Sequence, residues 1–208
     1  ITPTTNNQTT DDTSFASIQS LNLDGDVSID ELTVSGLTLS DVILGMNADQ
    51  GLIELEPIQA NLYQGSYRGA VNLNVNNAQP QFSMQSTLQS INIEPLSNDF
   101  IGASYASGNG NITVALVGSG SNAQSILNSL NGNAELALTD GILEGVDVGA
   151  VLAQLETMIR SRQLLSVDRV EQTAFDNLSA TVQIENGIAR SNDLLLLSPG
   201  FNVTGTGT

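Results

Sequence analysis

The densest group of potentially reactive side chains is the acidic stretch LDGDVSIDE, residues 23–31, which holds Asp24, Asp26, Asp30 and Glu31. Closely spaced carboxylates are the ligands that Ca²⁺ takes in proteins. The stretch lacks the D-x-D-x-D-G spacing of a calcium loop, and strand alternation would send Asp24, Asp26 and Asp30 to one face. Two interpretations follow, a specific calcium site and a solvated acidic face. The spacing favours the solvated face, so we expect no metal.

Other catalytic side chains are scarce. The 208-residue chain has no His and no Cys, and all five of its basic residues are Arg. It therefore lacks the usual neutral-pH base, a thiol nucleophile, a Schiff-base lysine and the preferred ligands of zinc. Acid–base chemistry is left to carboxylates, and a glycosidase would need a matched pair in a cleft, usually with aromatic sugar platforms. With no Trp and three Tyr, we expect no enzyme and no cofactor.

The net charge is −17, from 22 acidic and five basic residues. A nucleic-acid site needs clustered Lys and Arg, and so does adhesion to an anionic membrane. The charge argues against both partners and is typical of a solvated surface.

The organisation predicted from composition is one folded unit. Residues 1–16 are polar and low in complexity, which predicts a disordered segment, and 17–208 form the single predicted domain. No window of about 18 apolar residues exists, and no basic region marks a signal peptide. We expect the chain to be part of a longer protein.

Apolar residues alternate along most of the chain, as in Val27, Ile29, Leu32 and Val34, or in Val71, Leu73 and Val75. A period of two is typical of half-buried strands. The predicted fold class is mostly β with a few inserted helices (α+β), an elongated, curved antiparallel sheet or groove of repeated hairpins.

Three helical patterns interrupt the strands. IEPLSNDFIG ends at Gly102, and SNAQSILNSLNG has Ser121 as the expected N-cap. The strongest pattern is an amphipathic helix at about 147–162, with Arg160 and Arg162 near its end. Those arginines fit a helix end followed by a solvated linker, or a partner-docking patch.

A repeat joins NGNAELALTDGILEGVD, residues 131–147, to NLSATVQIENGIARSND, residues 177–193. Asp140-Gly141 and Asn186-Gly187 are predicted hairpin turns, because a type I′ turn needs positive φ at both central residues. A weaker copy ends at Gln50-Gly51, where Gln departs from the preferred residues.

Each repeat presents an apolar row that something must cover. Two interpretations stay open for this row: a sealed core under the helix at 147–160, or a surface that contacts lipid. The lipid-facing candidates are Leu136, Leu138, Val182, Ile184, Leu194, Leu196, Phe201 and Val203.

The order of these motifs resembles the AsmA family. SLNGNAELALTDGILEGVDV is similar to its C-terminal signature, and TAFDNLSATVQIENGIARSNDLLLLSPGFNVTGTGT to the block that follows. ANLYQGSYRG fits an upstream block, so the resemblance covers roughly 20–208. It implies a non-catalytic periplasmic segment of a Gram-negative protein, anchored in the inner membrane by an N-terminal helix that this sequence lacks. It also implies a β-groove that moves phospholipid and supports outer-membrane assembly.

Two non-enzymatic functions follow. The first is transport of lipid along an apolar sheet surface, where acyl chains bind by the area-proportional hydrophobic effect. The second is a scaffold or assembly module that binds another envelope protein by strand addition at the sheet edges.

Overall fold

The computed structural model describes residues 16–145 and 172–208. Its elements in chain order are α1 (Ala16–Gln19), β1 (Leu23–Val34), β2 (Leu37–Asp49), β3 (Leu52–Leu62), β4 (Gly65–Asn74), β5 (Gln81–Asn92), α2 (Ile93–Ile101), β6 (Asn109–Ser119), α3 (Ala123–Ser129), β7 (Asn131–Glu144), β8 (Gln172–Glu185), β9 (Ile188–Ser198) and β10 (Phe201–Gly207). The predicted helix at 147–162 lies outside the described residues, as does nearly all of the predicted disordered segment 1–16.

All ten strands form one open sheet in which each strand pairs with its neighbours in sequence. The pairs whose register is resolved are antiparallel throughout, so the architecture is a meander with β1 and β10 at the two edges. The predicted fold class, mostly β with few helices and an antiparallel sheet of hairpins, is confirmed. Successive side chains of a strand point to opposite faces of the sheet, so alternating apolar residues collect on one face. The period of two therefore predicted the strands correctly.

Several hairpins close through two-residue turns in which both central residues have positive φ, as a type I′ turn requires. These turns are Ser35-Gly36, Gln50-Gly51, Tyr63-Gln64 and Asn186-Gly187. The predicted turn at Asn186-Gly187 is therefore present, with φ of 51° and 76°. Gln50-Gly51 also forms a turn between β2 and β3, although Gln is not a favoured residue there.

The hairpin turn predicted at Asp140-Gly141 is wrong, because both residues lie inside β7. Asp140 has a positive φ of 52°, but β8 pairs with β7 on both sides of it, through Thr139 with Asn177 and Gly141 with Phe175. The strand simply continues as far as Glu144. Asp140 therefore makes a local irregularity within a long strand pair rather than a chain reversal.

Similar irregularities recur along the sheet and bend it. Asp41 and Ser90 also have positive φ inside strands, at 51° and 55°, beside register shifts of their ladders. A bulge increases local twist and bends the strand that carries it. The Asn111 side chain accepts a hydrogen bond from the Ser90 amide at 3.0 Å, so a backbone group released by the shift is satisfied.

Both short helices predicted from the sequence are present. α2 begins after Asn92, whose side chain accepts from the Glu94 amide at 3.3 Å, and ends at the expected Gly102 with φ of 80°. The expected N-cap of α3, Ser121, is wrong by one residue. Asn122 takes that role, because its side chain accepts from the Ser125 amide at 2.9 Å while Ser125 Oγ accepts from the Asn122 amide.

The sheet has an apolar and a polar face. Residues paired directly across an antiparallel ladder share a face, so the register assigns each side chain. The apolar face carries aliphatic rows with a few small residues between them. The polar face carries mainly Asn, Gln, Ser, Thr and acidic residues, for example in the row Asn72, Ser83, Val117 and Asn131.

Candidate functional site

The candidate site is the middle of the apolar face. A row of paired residues crosses the sheet from β2 to β6, and we call it the central apolar row: Met46, Leu55, Val71, Met84 and Leu116. All five side chains are half-buried. The row continues through Gly132 to Ile184 on β8. At ~4.8 Å between strands, the path from β2 to β8 is roughly 29 Å long.

Nothing in the described part of the chain forms a second layer over this row. The main contacts between described elements are those of adjacent strands, supplemented by α3 against β6 and by α2 against β2 and β5. Half-burial of the row therefore comes from neighbouring side chains on the same face. An aliphatic surface of this kind can bind a hydrocarbon without displacing any protein group.

One end of the same face is closed. Ile93, Leu138, Phe175 and Leu196 are buried together, and we call them the sealed cluster. Ile93 is the first residue of α2, so the helix brings an aliphatic side chain onto the sheet. Leu138, Leu178, Leu196 and Val203 follow one another across β7, β8, β9 and β10, and this row packs with Ile93 in or against the cluster.

Gly110 makes room for the sealed cluster. It pairs with Leu138, and a Cβ at this position would overlap the side chains of Ile93 and Leu138. A larger residue at position 110 would force the side chains of Ile93 and Leu138 to shift. The close approach of helix and sheet therefore depends on the missing side chain.

The far end of α2 is held by a hydrogen bond. The Tyr63 hydroxyl, from the turn between β3 and β4, donates to Asp99 Oδ2 at 2.6 Å. Partial burial, this hydrogen bond and the negative charge of Asp99 raise the pKa of Tyr63 to about 12. The Tyr63 carbonyl also accepts from the Asn92 amide at 2.9 Å, so the same turn contacts both ends of the helix.

The other helix lies along the opposite ends of the strands. Ser129 Oγ donates to the Ser119 carbonyl at 2.6 Å and accepts from the Ser119 amide at 2.8 Å. The Gly187 amide donates to the Leu130 carbonyl at 2.9 Å, which links the end of α3 to the turn between β8 and β9. Since α3 has no buried residue and Leu127 is 56% exposed, it borders the apolar face without sealing it.

The eight lipid-facing candidates from the sequence occupy different environments. Leu138 and Leu196 belong to the sealed cluster, and Leu136, Phe201 and Val203 pack against it. Val182 and Ile184 are half-buried outside that cluster, and Leu194 is exposed. Their role in lipid contact stays a prediction.

Sequence reasoning did not select the central apolar row as a site. Its signal was present, because Val71 and Met84 belong to strands with clear alternation. What the sequence could not supply was the register that aligns five separate strands into one row. The predicted residues instead came from the repeated motif and the strands after it, and several of them lie in or against the sealed cluster.

The acidic stretch of β1 lies in an exposed environment. Asp24 pairs with Asn47 and Asp26 with Gly45, which puts both carboxylates on the polar face, while Asp30 stands apart beside the irregularity at Asp41. Among residues 16–145 and 172–208, no three or more His, Cys, Asp or Glu side chains are grouped to hold a metal ion. Asp24, Asp26, Asp30 and Glu31 are all exposed.

A depression of about 510 Å³ lies elsewhere, at the ends of β3 to β7. Its lining includes the polar-face residues Asn72, Ser83 and Asn131. Two of these amides are already engaged, since Asn72 donates to Ser83 and Asn131 donates to the Ser129 carbonyl. The lining also includes Glu54 and Gln81 and none of the five residues of the central apolar row.

These features define an open, amphipathic β-meander with one aliphatic face, one polar face and short helices at the strand ends. Comparison with known protein families matches residues 2–194 to the AsmA family, and the chain belongs to that family. Comparison with curated proteins and with solved structures returned no match. None of the described helices has the length and hydropathy needed to cross a bilayer.

Proposed function

We propose that the apolar face binds the acyl chains of phospholipid and that the chain is a non-catalytic lipid-transport segment. The central apolar row carries this proposal, because five apolar side chains align across five strands and are only half-buried in the described part of the chain. Membership of the AsmA family, which suggests an envelope role related to lipid transport, supports the same conclusion.

The binding energy comes from removing hydrocarbon from water. Each CH₂ group buried against the row contributes about 0.8 kcal/mol, so a chain that covers several strands binds without specific polar contacts. The polar face points to water, and the net charge of −17 keeps the carrier soluble when its apolar face is empty. Such a surface needs neither a nucleophile nor a cofactor.

We place the segment in the periplasm of a Gram-negative cell, in a protein that an N-terminal helix anchors to the inner membrane. Its role is the movement of phospholipid that outer-membrane assembly requires. Family membership supports this location. The open ends of the sheet suit a longer groove, because further strands could continue the rows beyond β1 or β10.

Adjacent residues of β6 provide a sharp test. Leu116 lies in the central apolar row, and Val117 is 51% exposed on the polar face. Leu116→Asp should leave the chain folded, as judged by circular dichroism and thermal unfolding, and should remove most of the phospholipid that mass spectrometry detects in the purified protein. Val117→Asp, the matched control, should retain the lipid of the unmodified chain.

Recovery of no phospholipid from the unmodified chain, or equal loss in both variants, would contradict the proposal. Unfolding of Leu116→Asp alone would identify the row as an ordinary core rather than a binding surface.

The alternative is an assembly module that binds another envelope protein at a sheet edge. β10 favours this function more than β1, since Phe201–Gly207 contains no charged residue whereas β1 carries Asp24, Asp26, Asp30 and Glu31. Charges on an edge strand oppose strand addition. Thr204→Lys together with Thr206→Lys should abolish a partner complex formed through β10 and leave bound lipid unchanged. A complex that survives both lysines would exclude this edge.

A further inference from the structure

Two hydroxyl groups interrupt the aliphatic rows of the apolar face. Tyr67 on β4 pairs with Leu88, and Ser86 on β5 pairs with Gly69, so both side chains lie on that face. Their hydroxyl oxygens are 3.0 Å apart. A Cβ on Gly69 would overlap the Tyr67 hydroxyl, which shows that the tyrosine ring lies over this glycine. We call Tyr67 and Ser86 the hydroxyl pair.

The surroundings of the hydroxyl pair are apolar. Ile58 pairs with Gly69 and Val114 pairs with Ser86, so aliphatic residues follow on both sides of the row. Both arginines of the described residues lie on the polar face: Arg68 pairs with Gln59 and Thr87, and Arg190 pairs with Gln183. Each described arginine therefore projects from the face opposite the hydroxyl pair, although Arg68 directly follows Tyr67 in β4.

One hydroxyl proton of the pair is left over after the hydrogen bond between Tyr67 and Ser86 is made. Two hydroxyls bring two protons, and the bond between them consumes one. In the described part of the chain, this bond is the one hydrogen bond that either hydroxyl makes. Ser86 is 8% exposed and Tyr67 is half-buried, so the reachable proton belongs to Tyr67 when Ser86 donates to it. A donor beside an aliphatic surface is costly when a ligand displaces water without supplying an acceptor.

We propose that the Tyr67 hydroxyl donates a hydrogen bond to an ester carbonyl oxygen of a diacyl lipid lying on the apolar face. This inference rests on the proposed function and adds a polar contact that sets where a lipid stops along the rows. An ester carbonyl is a neutral acceptor attached directly to the acyl chain, which suits a site with one donor and no cation. Ser86 is a positioning residue that orients the Tyr67 hydroxyl.

Matched lipids test this contact. The 208-residue chain is exchanged with equal amounts of diacyl and dialkyl phosphatidylcholine of the same chain length, and the retained lipids are quantified by mass spectrometry. The dialkyl lipid has the same headgroup and tails but no carbonyl. We expect the unmodified chain to prefer the diacyl lipid roughly twofold to tenfold, as one neutral hydrogen bond predicts.

The variants assign the preference to one hydroxyl. Tyr67→Phe should abolish the preference and leave dialkyl binding unchanged. Tyr63→Phe is the matched control, because it removes a tyrosine hydroxyl that bonds to Asp99 at α2, and it should keep the preference. The double variant Tyr67→Phe/Ser86→Ala removes both hydroxyls, so it avoids leaving Ser86 unpaired and should behave like Tyr67→Phe in binding.

Equal retention of both lipids by the unmodified chain would overturn the inference and leave the proposed function intact. A diacyl preference that persists in the double variant would overturn it as well. Retention of neither lipid would overturn both proposals together.

Discussion

The sealed cluster and the central apolar row lie on the same face of one sheet and use similar aliphatic residues, yet their burial differs. Leu138 and Leu196 are 3% and 4% exposed, whereas Met84 and Leu116 are half-buried. The difference comes from α2, which adds Ile93 over the cluster, and from Gly110, which gives that side chain space. The alternation of apolar residues along the strands produces both the sealed cluster and the central apolar row. Only the sealed cluster also contains a buried residue of α2, Ile93.

The largest expected effect is the loss of a large side chain from the sealed cluster. Phe175 is 2% exposed, so Phe175→Ala should lower the free energy of unfolding by about 3–5 kcal/mol through lost burial and a residual cavity. Urea unfolding measures this change. Phe82→Ala is the control on the uncovered side, where Phe82 is half-buried, and it should have a clearly smaller effect. Equal losses of unfolding free energy in the two variants would contradict the distinction between the sealed cluster and the uncovered part of the apolar face.

Two glycines probe the same difference by adding a methyl group. A Cβ on Gly141 would overlap the Ser107 carbonyl and the Phe175 ring, so Gly141→Ala should destabilise the fold by about 1–3 kcal/mol. Gly25 on β1 has no atom within 4 Å of that position, and Gly25→Ala should be neutral or stabilise the fold by up to about 1 kcal/mol. Thermal unfolding of both variants compares them. Destabilisation by Gly25→Ala together with no effect of Gly141→Ala would contradict the crowded environment of Gly141 and the open environment of Gly25.

The attachment of α2 should respond to alkaline pH. The pKa of Tyr63 is raised from 10.0 to about 12, so folding favours the neutral phenol. This contribution is complete below pH 10 and is lost as the pH rises through about 12. Unfolding free energies measured across this range should fall less steeply in Tyr63→Phe than in the unmodified chain. Tyr105→Phe is the control, since Tyr105 is 63% exposed, and parallel curves for all three proteins would contradict the role of the Tyr63 bond.

The smallest effect is expected at acidic pH. Hydrogen bonds from the Thr181 backbone amide, at 2.8 Å, and from Ser191 hold the pKa of Asp193 below its usual 3.8. The stabilisation is complete above that usual value and is lost as the pH falls through the lower pKa of the folded state. Asp193→Asn should therefore flatten the acid limb of the stability curve slightly. An acid limb identical to that of the unmodified chain would show that this carboxylate makes no contribution.

Local patterns predicted much of the fold. Alternation of apolar residues predicted the strands, and glycine and capping residues predicted α2 and α3. Asn186-Gly187 predicted one hairpin turn. The prediction of a turn at Asp140-Gly141 was wrong because a positive φ occurs both in hairpin turns and at irregularities inside strands. Only the pairing of Gly141 and the residues after it with β8 distinguishes the two. That pairing is a long-range property which no short window contains.

The candidate site was predicted less completely for the same reason. The sequence shows that Leu138 and Leu196 are apolar, but they are buried together with Ile93, which lies more than 40 residues earlier in the chain. The central apolar row likewise depends on register across five strands. The order of motifs along the chain indicated the family, which comparison then showed.

The most direct test of the central claim is to map where an acyl chain touches the sheet. A phosphatidylcholine with a photoreactive group in one acyl chain is bound to the unmodified chain and activated by light, and mass spectrometry locates the adducts. We predict adducts at Met46, Met84 and Leu116 of the central apolar row, with Val117 and Ser83 of the polar face unlabelled. Adducts concentrated on the polar face, or no adduct above that of a denatured control, would contradict the account.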